Sequence, residues 1–241
     1  MTAETVLREK IATCTRIFAM QQMIGLFGHI SAFDPATGRI YMCPGMGVQK
    51  ATVADGDVLA LDLEGQVLDG DARIPAEWPI HTVLHGKRKD ALAVAHLHAP
   101  AATLFSLVDR AFRPVTLQGC IFADGVPLYD QPRLVRTVEQ GRELAGVIGD
   151  GRAALMRGHG IVVVGRDVEE MLLGALILED EVRKWAEASS LGTVRPFSEA
   201  EARSFDAASD FQRRSHRCWD YFCEIEQRWD RQPGTGRAGF A

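Results

Sequence analysis

Between Thr5 and Leu26, apolar side chains fall at Val6, Ile11, Ile17, Phe18, Met20 and Ile24 with polar residues between them. This is the spacing of an amphipathic helix, and Gly25 to Gly28 supply its predicted end. Strand-like runs follow at His29 to Phe33 and Arg39 to Cys43, separated by Asp34-Pro35-Ala36-Thr37-Gly38, a hairpin loop by composition. Val58 to Leu63 reads as a third strand entering a turn at Glu64-Gly65, so the part of the chain after the first helix is antiparallel in character. Further on, Asp90 to His98, Ala153 to Met156 and Ile161 to Val164 are short enough to be buried strands. Helical periods cover Glu77 to His85, Ala101 to Val108, Leu134 to Ile148 and Val168 to Ala188, the last with Asp167 as N-cap. A final helix, broken or continuous, runs from about Ser198 to Arg231. The sum predicts an α/β fold: one three-layer domain over residues 1–232, with a mixed, largely antiparallel sheet covered by helices, and a flexible tail at 233–241.

Composition narrows the function classes. The chain has 241 residues, 46% of them hydrophobic and 24% charged, which suffices for a full core without disulfide staples. Thirty-two acidic residues against 27 Lys plus Arg leave a net charge of −5, and the basic residues are scattered. No footprint for nucleic acid or for an anionic membrane surface results, so a small-molecule site is the expectation. Met1 to Lys10 lacks the apolar stretch of a secretory leader, and no apolar run is long enough to span a bilayer. Cys14, Cys43, Cys120, Cys218 and Cys223 form an odd set with no C-x-x-C pair. That pattern suits reduced thiols and a cytoplasmic location.

The candidate chemistry lies in three histidines. His96 and His98, spaced i, i+2 at a predicted strand end, project to one side of the sheet while Leu97 faces the other. His159 sits between Gly158 and Gly160, which strip side-chain bulk from a turn joining two apolar strands and allow close approach of a neighbouring backbone. Three neutral imidazoles with room left for substrate oxygen suit Zn²⁺, and with looser geometry Mn²⁺ or Co²⁺. Glu77 opens a helical segment, where its charge is favoured; beside a metal in an apolar pocket, against Trp78 for instance, its pKa is expected to rise and the group to shuttle a proton. His81 and His85 are i, i+4 on that helix but lack the Glu of a zinc-protease motif, and read as structural.

Taken together, Glu77, His96-Leu97-His98 and Arg157-Gly158-His159-Gly160, at these separations, resemble the class II aldolase/adducin family over roughly Leu7 to Trp185. Gly28-His29-Ile30-Ser31, Cys43-Pro44-Gly45-Met46-Gly47, Asp57 to Gly65 and Leu176 to Glu179 belong to the same resemblance. It implies that His96, His98 and His159 are metal ligands, that Glu77 is the acid/base residue, and that the protein is a cyclic homotetramer with sites between subunits.

Departures within the resemblance point to a branch. Sugar-phosphate aldolases of this family hold phosphate with an Asn after the first Gly and a Ser-Ser pair before the catalytic Glu, where this chain has His29 and Pro75-Ala76. Lost charge-assisted hydrogen bonds, about 1.5 to 3 kcal/mol each, disfavour a phosphorylated substrate, although the N–H groups of Gly45 to Gly47 still offer an anion site. Gly28-His29-x-Ser31, Ala154 to Gly160 and Trp219-Asp220-Tyr221 are similar to the decarboxylase branch, which acts on hydroxylated aromatic or pyridine carboxylates. The expected function is therefore decarboxylation of such a carboxylate, with a divalent cation stabilising the carbanion left when CO₂ departs. His29 and Arg73 are candidates to orient the carboxylate, and Tyr221 to reach a neighbouring subunit's pocket. Retro-aldol cleavage of an unphosphorylated hydroxy-carbonyl compound and a non-catalytic, adducin-like assembly domain are the competing readings.

Overall fold

The computed structural model describes residues 1–205 and 210–229. The predicted tail at 233–241 therefore lies outside the described residues. The opening pattern forms α1 (Ala3–Met20), begun by the Thr2 side chain, which accepts the Thr5 N–H. This helix stops short of Leu26 because the chain turns over at Gln22, whose φ of 58° is in the left-handed region. The Gln22 N–H reaches the Ala19 carbonyl and the Met23 N–H reaches the Phe18 carbonyl, the two bonds of a Schellman cap. Glycines at 25–28 are thus not what ends it. The consequence is local to the site: the Met23 carbonyl, released from the helix, accepts the His98 N–H at 3.0 Å.

Eight strands build one sheet: β1 (His29–Asp34), β2 (Arg39–Met42), β3 (Leu59–Leu61), β4 (Val67–Asp69), β5 (Ala93–Leu97), β6 (Leu128–Tyr129), β7 (Ala153–Met156) and β8 (Gly160–Gly165). Their order is β4-β3-β2-β1-β5-β8-β7-β6, antiparallel throughout except for the β6–β7 pair. The hairpin predicted at Asp34 to Gly38 is present, with the Asp34 carboxylate accepting the Ala36 N–H and the Thr37 hydroxyl. Two short strands, β4 and β6, carried no periodic signal because two or three residues cannot display one.

Helices cover both faces. Ala93, Ala95, Leu97, Ile161 and Val163 point into a core shared with α1 and α5 (Val168–Leu191), while Val94, Val162 and Val164 point into a second core under α2 (Trp78–Lys87) and α4 (Val138–Ile148). This alternation is the period of two expected of central strands. Asp167 caps α5 as predicted, accepting the Glu170 N–H. α3 (Pro100–Phe105) is shorter than predicted, and α4 begins at Val138 rather than Leu134, since Thr137 and Gln140 close a capping box there. The last helical stretch is broken into α6 (Glu199–Ser204) and α7 (Phe211–Trp229), and α7 lies on α5 and α1. The three-layer arrangement of a largely antiparallel sheet stands as expected.

Candidate metal centre and active site

Side chains at i and i+2 share a sheet face, and β5 applies that rule to the site. Leu97 enters the α1/α5 core, and fully buried His96 projects toward the opposite side together with His98 just beyond the strand. In the β7–β8 hairpin, Gly158 has a φ of 63° and the His159 N–H returns to the Met156 carbonyl. A Cβ on Gly160 would collide with the Leu97 carbonyl oxygen and stand 3.4 Å from the His98 Cα. The two glycines thus bring the hairpin against the end of β5, as the sequence implied. Ring centroids lie 4.7 Å apart for His96 and His159, and 5.1 Å for His98 with each of them. One nitrogen from each of the three rings lies within 4.8 Å of the others.

Glu77 occupies the N-cap position of α2 but does not cap it. Its side chain turns into the site instead. Oε1 accepts the Val135 N–H at 2.8 Å, and Oε2 lies 3.3 Å from His96 Nε2 and 3.4 Å from His159 Nε2. Trp78 packs with Ile40, Met42, Leu59 and Leu61 and lies over Gly65, so its ring belongs to the β2–β3 side of the molecule.

Hydrogen-bond accounting makes this cluster unusual. His96 Nδ1 is 3.2 Å from the Ile161 carbonyl, which can only accept, so Nδ1 carries the proton and neutral His96 turns a bare Nε2 lone pair toward Glu77. His96 Nε2 and His159 Nε2 are both buried without a hydrogen-bond partner. A bare His96 lone pair, an unpartnered His159 nitrogen and a carboxylate oxygen converging in a buried site are groups that a cation placed between them would satisfy. Three imidazoles are a donor set suited to a divalent ion such as Zn²⁺, so the residues present fit the cation that the sequence implied.

Titration behaviour follows from the same geometry. Burial alone would raise the Glu77 pKa; when the rings of His159 and His96 carry a proton on Nε2 they donate to Oε2, His96 adds its charge, and with the Val135 N–H these outweigh burial. The carboxyl is held well below its ordinary range, a reversal of the rise expected from an apolar pocket. Burial, with His96 and His159 nearby, pushes His98 down to about 4, leaving it a neutral donor at neutral pH.

His29 joins this group. It pairs with His96 across β1 and β5, the rings 5.2 Å apart, and one of its nitrogens lies within 4.8 Å of the ligating atoms of Glu77 and His96. Arg73 is exposed; its carbonyl accepts the Gly45 N–H at 2.7 Å, and its guanidinium has no hydrogen bond or ion pair among the described residues. Within one chain the structure does not bring Tyr221 to the histidines: it is exposed on α7, with its ring edge-on to Phe222.

Three residues received no role in the sequence reading. Lys50 is buried, with no carboxylate partner among the described residues, and donates to the carbonyls of Pro44 and Gly45, pinning the glycine turn. Ser31 and the backbone of Val135 also contact site residues. Ser31 had a signal, since it stands two residues from His29 on one strand and hence on the same face.

Residues 9–185 match the Class II Aldolase and Adducin N-terminal domain family. A 3,4-dihydroxyphthalate decarboxylase of Arthrobacter keyseri is 30% identical over 184 residues, covering 71% of this chain and 74% of that protein. Another, from Rhodococcus jostii, is 29% identical over 209 residues, 80% of this chain and 85% of the relative. The solved L-fuculose 1-phosphate aldolase from Glaciozyma antarctica superposes with a TM-score of 0.79 at 21% identity, over 94% of this chain and 90% of that one, a likeness of fold. The chain belongs to the class II aldolase and adducin N-terminal domain family, and within it to the lyases.

Proposed function

We propose that the protein decarboxylates a hydroxylated aromatic or heteroaromatic carboxylate, using one divalent cation, Zn²⁺ or Mn²⁺, held by His96, His98 and His159. The observation that carries this reading is the pair of buried, unpartnered Nε2 atoms aimed at one Glu77 oxygen, in a chain similar to proteins named as dihydroxyphthalate decarboxylases. When bound, such a cation draws electrons from chelating substrate oxygens and lowers the cost of the carbanion left by CO₂.

The chain's own groups supply the rest. Val135 occupies Glu77 Oε1, so Oε2 is the oxygen that takes the substrate's hydroxyl proton and then returns a proton to the ring carbon. The electrons of the broken C–C bond stay on that carbon until the proton arrives. Pro75-Ala76 and His29 stand where phosphate-binding hydroxyls and an amide are expected in the sugar-phosphate branch, which favours an unphosphorylated substrate. His29 contacts the substrate, and Arg73, exposed beside the glycine turn, has a free guanidinium for a carboxylate at the rim.

We further propose a homotetramer with sites at subunit interfaces. Apolar residues exposed beside the site support it: Phe27 stacks on His98, Leu107 lies against Gly158, and Leu104 and Val108 are exposed near them. Tyr221 would then enter a neighbour's pocket. Five unpaired cysteines favour a cytoplasmic setting.

The test combines metal analysis with product analysis. Purified protein is expected to contain about one divalent ion per chain and to release CO₂ from members of a panel of hydroxybenzoic, hydroxyphthalic and hydroxypyridine carboxylic acids, with loss of turnover on chelation. His98→Ala should lose both metal and turnover, whereas Glu77→Gln should keep the metal and lose turnover by roughly 10²- to 10⁴-fold. Cleavage of aldols without any CO₂ release would overturn the decarboxylase assignment, and protein without bound metal would return the scaffold reading.

A further inference from the structure

A chain of four hydrogen bonds runs behind His29. His29 Nδ1 lies 2.7 Å from His81 Nε2, His81 Nδ1 2.6 Å from Ser31 Oγ, Ser31 Oγ 2.8 Å from His85 Nε2, and His85 Nδ1 2.6 Å from the Ala91 carbonyl. All four side chains are buried, and among the described residues no carboxylate hydrogen-bonds to any of them. The far end sets the direction of the whole chain. A carbonyl oxygen can only accept, so His85 Nδ1 carries a hydrogen, and a neutral His85 must then accept at Nε2.

The remaining assignments follow one from another. The Ser31 hydroxyl donates its single hydrogen to His85, so the same oxygen accepts from His81 Nδ1–H. His81, neutral, accepts at Nε2, and the donor there is His29 Nδ1–H. Neutrality is what the interior demands of His81 and His85, because a buried imidazolium whose hydrogen bonds reach no carboxylate is costly, and a neutral His81 is enough to make His29 Nδ1 the donor. Burial pushes His85 down to about 4 and His81 well below its ordinary value.

We infer that Ala91, His85, Ser31 and His81 lock His29 as its Nδ1–H tautomer, so that its Nε2 is a fixed hydrogen-bond acceptor for a hydroxyl group of the substrate. This rests on the proposed decarboxylase reading and sharpens it. A neutral Nε2 without a hydrogen cannot donate to a carboxylate, so His29 selects for a ring that presents an O–H, and the orienting of the carboxylate falls to other groups. His81, Ser31 and His85 are positioning residues; the chain ends on a backbone carbonyl, which takes up no proton, so it carries orientation and not proton exit. Two residues that look like an incidental i, i+4 pair on α2 thereby gain a purpose.

Nitrogen-15 NMR of the full-length, Zn²⁺-loaded protein with labelled histidines reads the tautomers directly and without substrate. In wild-type protein His29, His81 and His85 should all appear as Nδ1–H forms. In Ser31→Ala, His85 should keep its form while His29 becomes a mixture or changes to Nε2–H, and Ser31→Thr should restore it. Affinity for 3,4-dihydroxybenzoate, used as a probe and measured by calorimetry, should fall about tenfold in Ser31→Ala and recover in Ser31→Thr, with bound metal unchanged. An Nε2–H His29 in wild-type protein, or a tautomer or affinity indifferent to Ser31→Ala, overturns the inference. Absence of CO₂ release with the tautomers as stated would instead overturn only the decarboxylase reading.

Discussion

His85 illustrates how a single buried group couples the site to stability. Its pKa falls from 6.5 to about 4 because burial penalises the charged ring, although its bond to the Ala91 carbonyl opposes the fall. In the unfolded chain His85 takes up a proton as pH drops below 6.5; in the folded chain it does not until pH approaches 4. The unfolded state therefore binds more protons in that window, so stability is highest above pH 6.5 and is lost progressively toward pH 4. The drop corresponds to about 3 kcal/mol. His29 and His81, both pushed down mainly by burial, act in the same direction. Urea midpoints measured from pH 8 to pH 4 should decline steeply in wild-type protein and more gently in His85→Gln, even though the variant starts lower. Parallel profiles would mean that His85 does not titrate as its surroundings require.

Several of these residues were legible individually and not as a set. The His96-x-His98 spacing, with Leu97 on the other face, and the paired glycines around His159 declare their geometry in the sequence, because strand periodicity and glycine's freedom are local properties. The direction of the Glu77 pKa was not legible. A carboxylate beside a tryptophan suggests an apolar pocket, but whether burial or hydrogen bonding wins depends on His159, His96 and Val135, which lie 19 to 82 residues away along the chain.

Among the elements, the joint between β5 and the β7–β8 hairpin decides whether there is a site. Gly160 opposes Leu97 so closely that a methyl group meets a backbone oxygen, which no rotamer change relieves. Gly160→Ala should cost about 1 to 3 kcal/mol, lowering Tm by several degrees, and should weaken metal binding by displacing His159. Differential scanning fluorimetry and metal titration check this; an unaltered Tm would mean that the hairpin does not pack as described. Element boundaries show a related dependence. α4 starts at Val138, four residues late by periodicity, and the Val135 N–H thereby left outside the helix serves Glu77. α1 ends on a Schellman turn at Gln22, and the carbonyl freed beyond it fixes the backbone of His98. Helix termination and site construction are one event in both places.

At the scale of the whole molecule, α7 is integral to the fold. Phe211 is buried with the Arg152 guanidinium over its ring, and Arg16 pairs with Glu226 at 2.6 Å. Deleting the C-terminal helices would uncover the core, so the proposed role of Tyr221 across an interface calls for a point variant. Tyr221→Ala is expected to fold, to bind metal and to lose turnover. Chains carrying Glu77→Gln and Tyr221→Ala, co-expressed, should form mixed oligomers with some intact sites and recover activity above either variant alone. No recovery would mean that Tyr221 and Glu77 do not meet across subunits.

The sequence by itself determined the sheet-and-helix class, the strand faces and the directions of the three histidines, because each is written in short-range periodicity or in spacing that backbone geometry converts directly into direction, whereas the role expected of Glu77 came from the family resemblance. Only the tertiary structure decided which lone pairs face one another, how burial and hydrogen bonds divide the pKa of Glu77, and that His81, Ser31 and His85 stand in line behind His29. Those outcomes depend on distances of 2.6 to 3.4 Å between residues from different elements, and such distances are set by packing, not by local propensity.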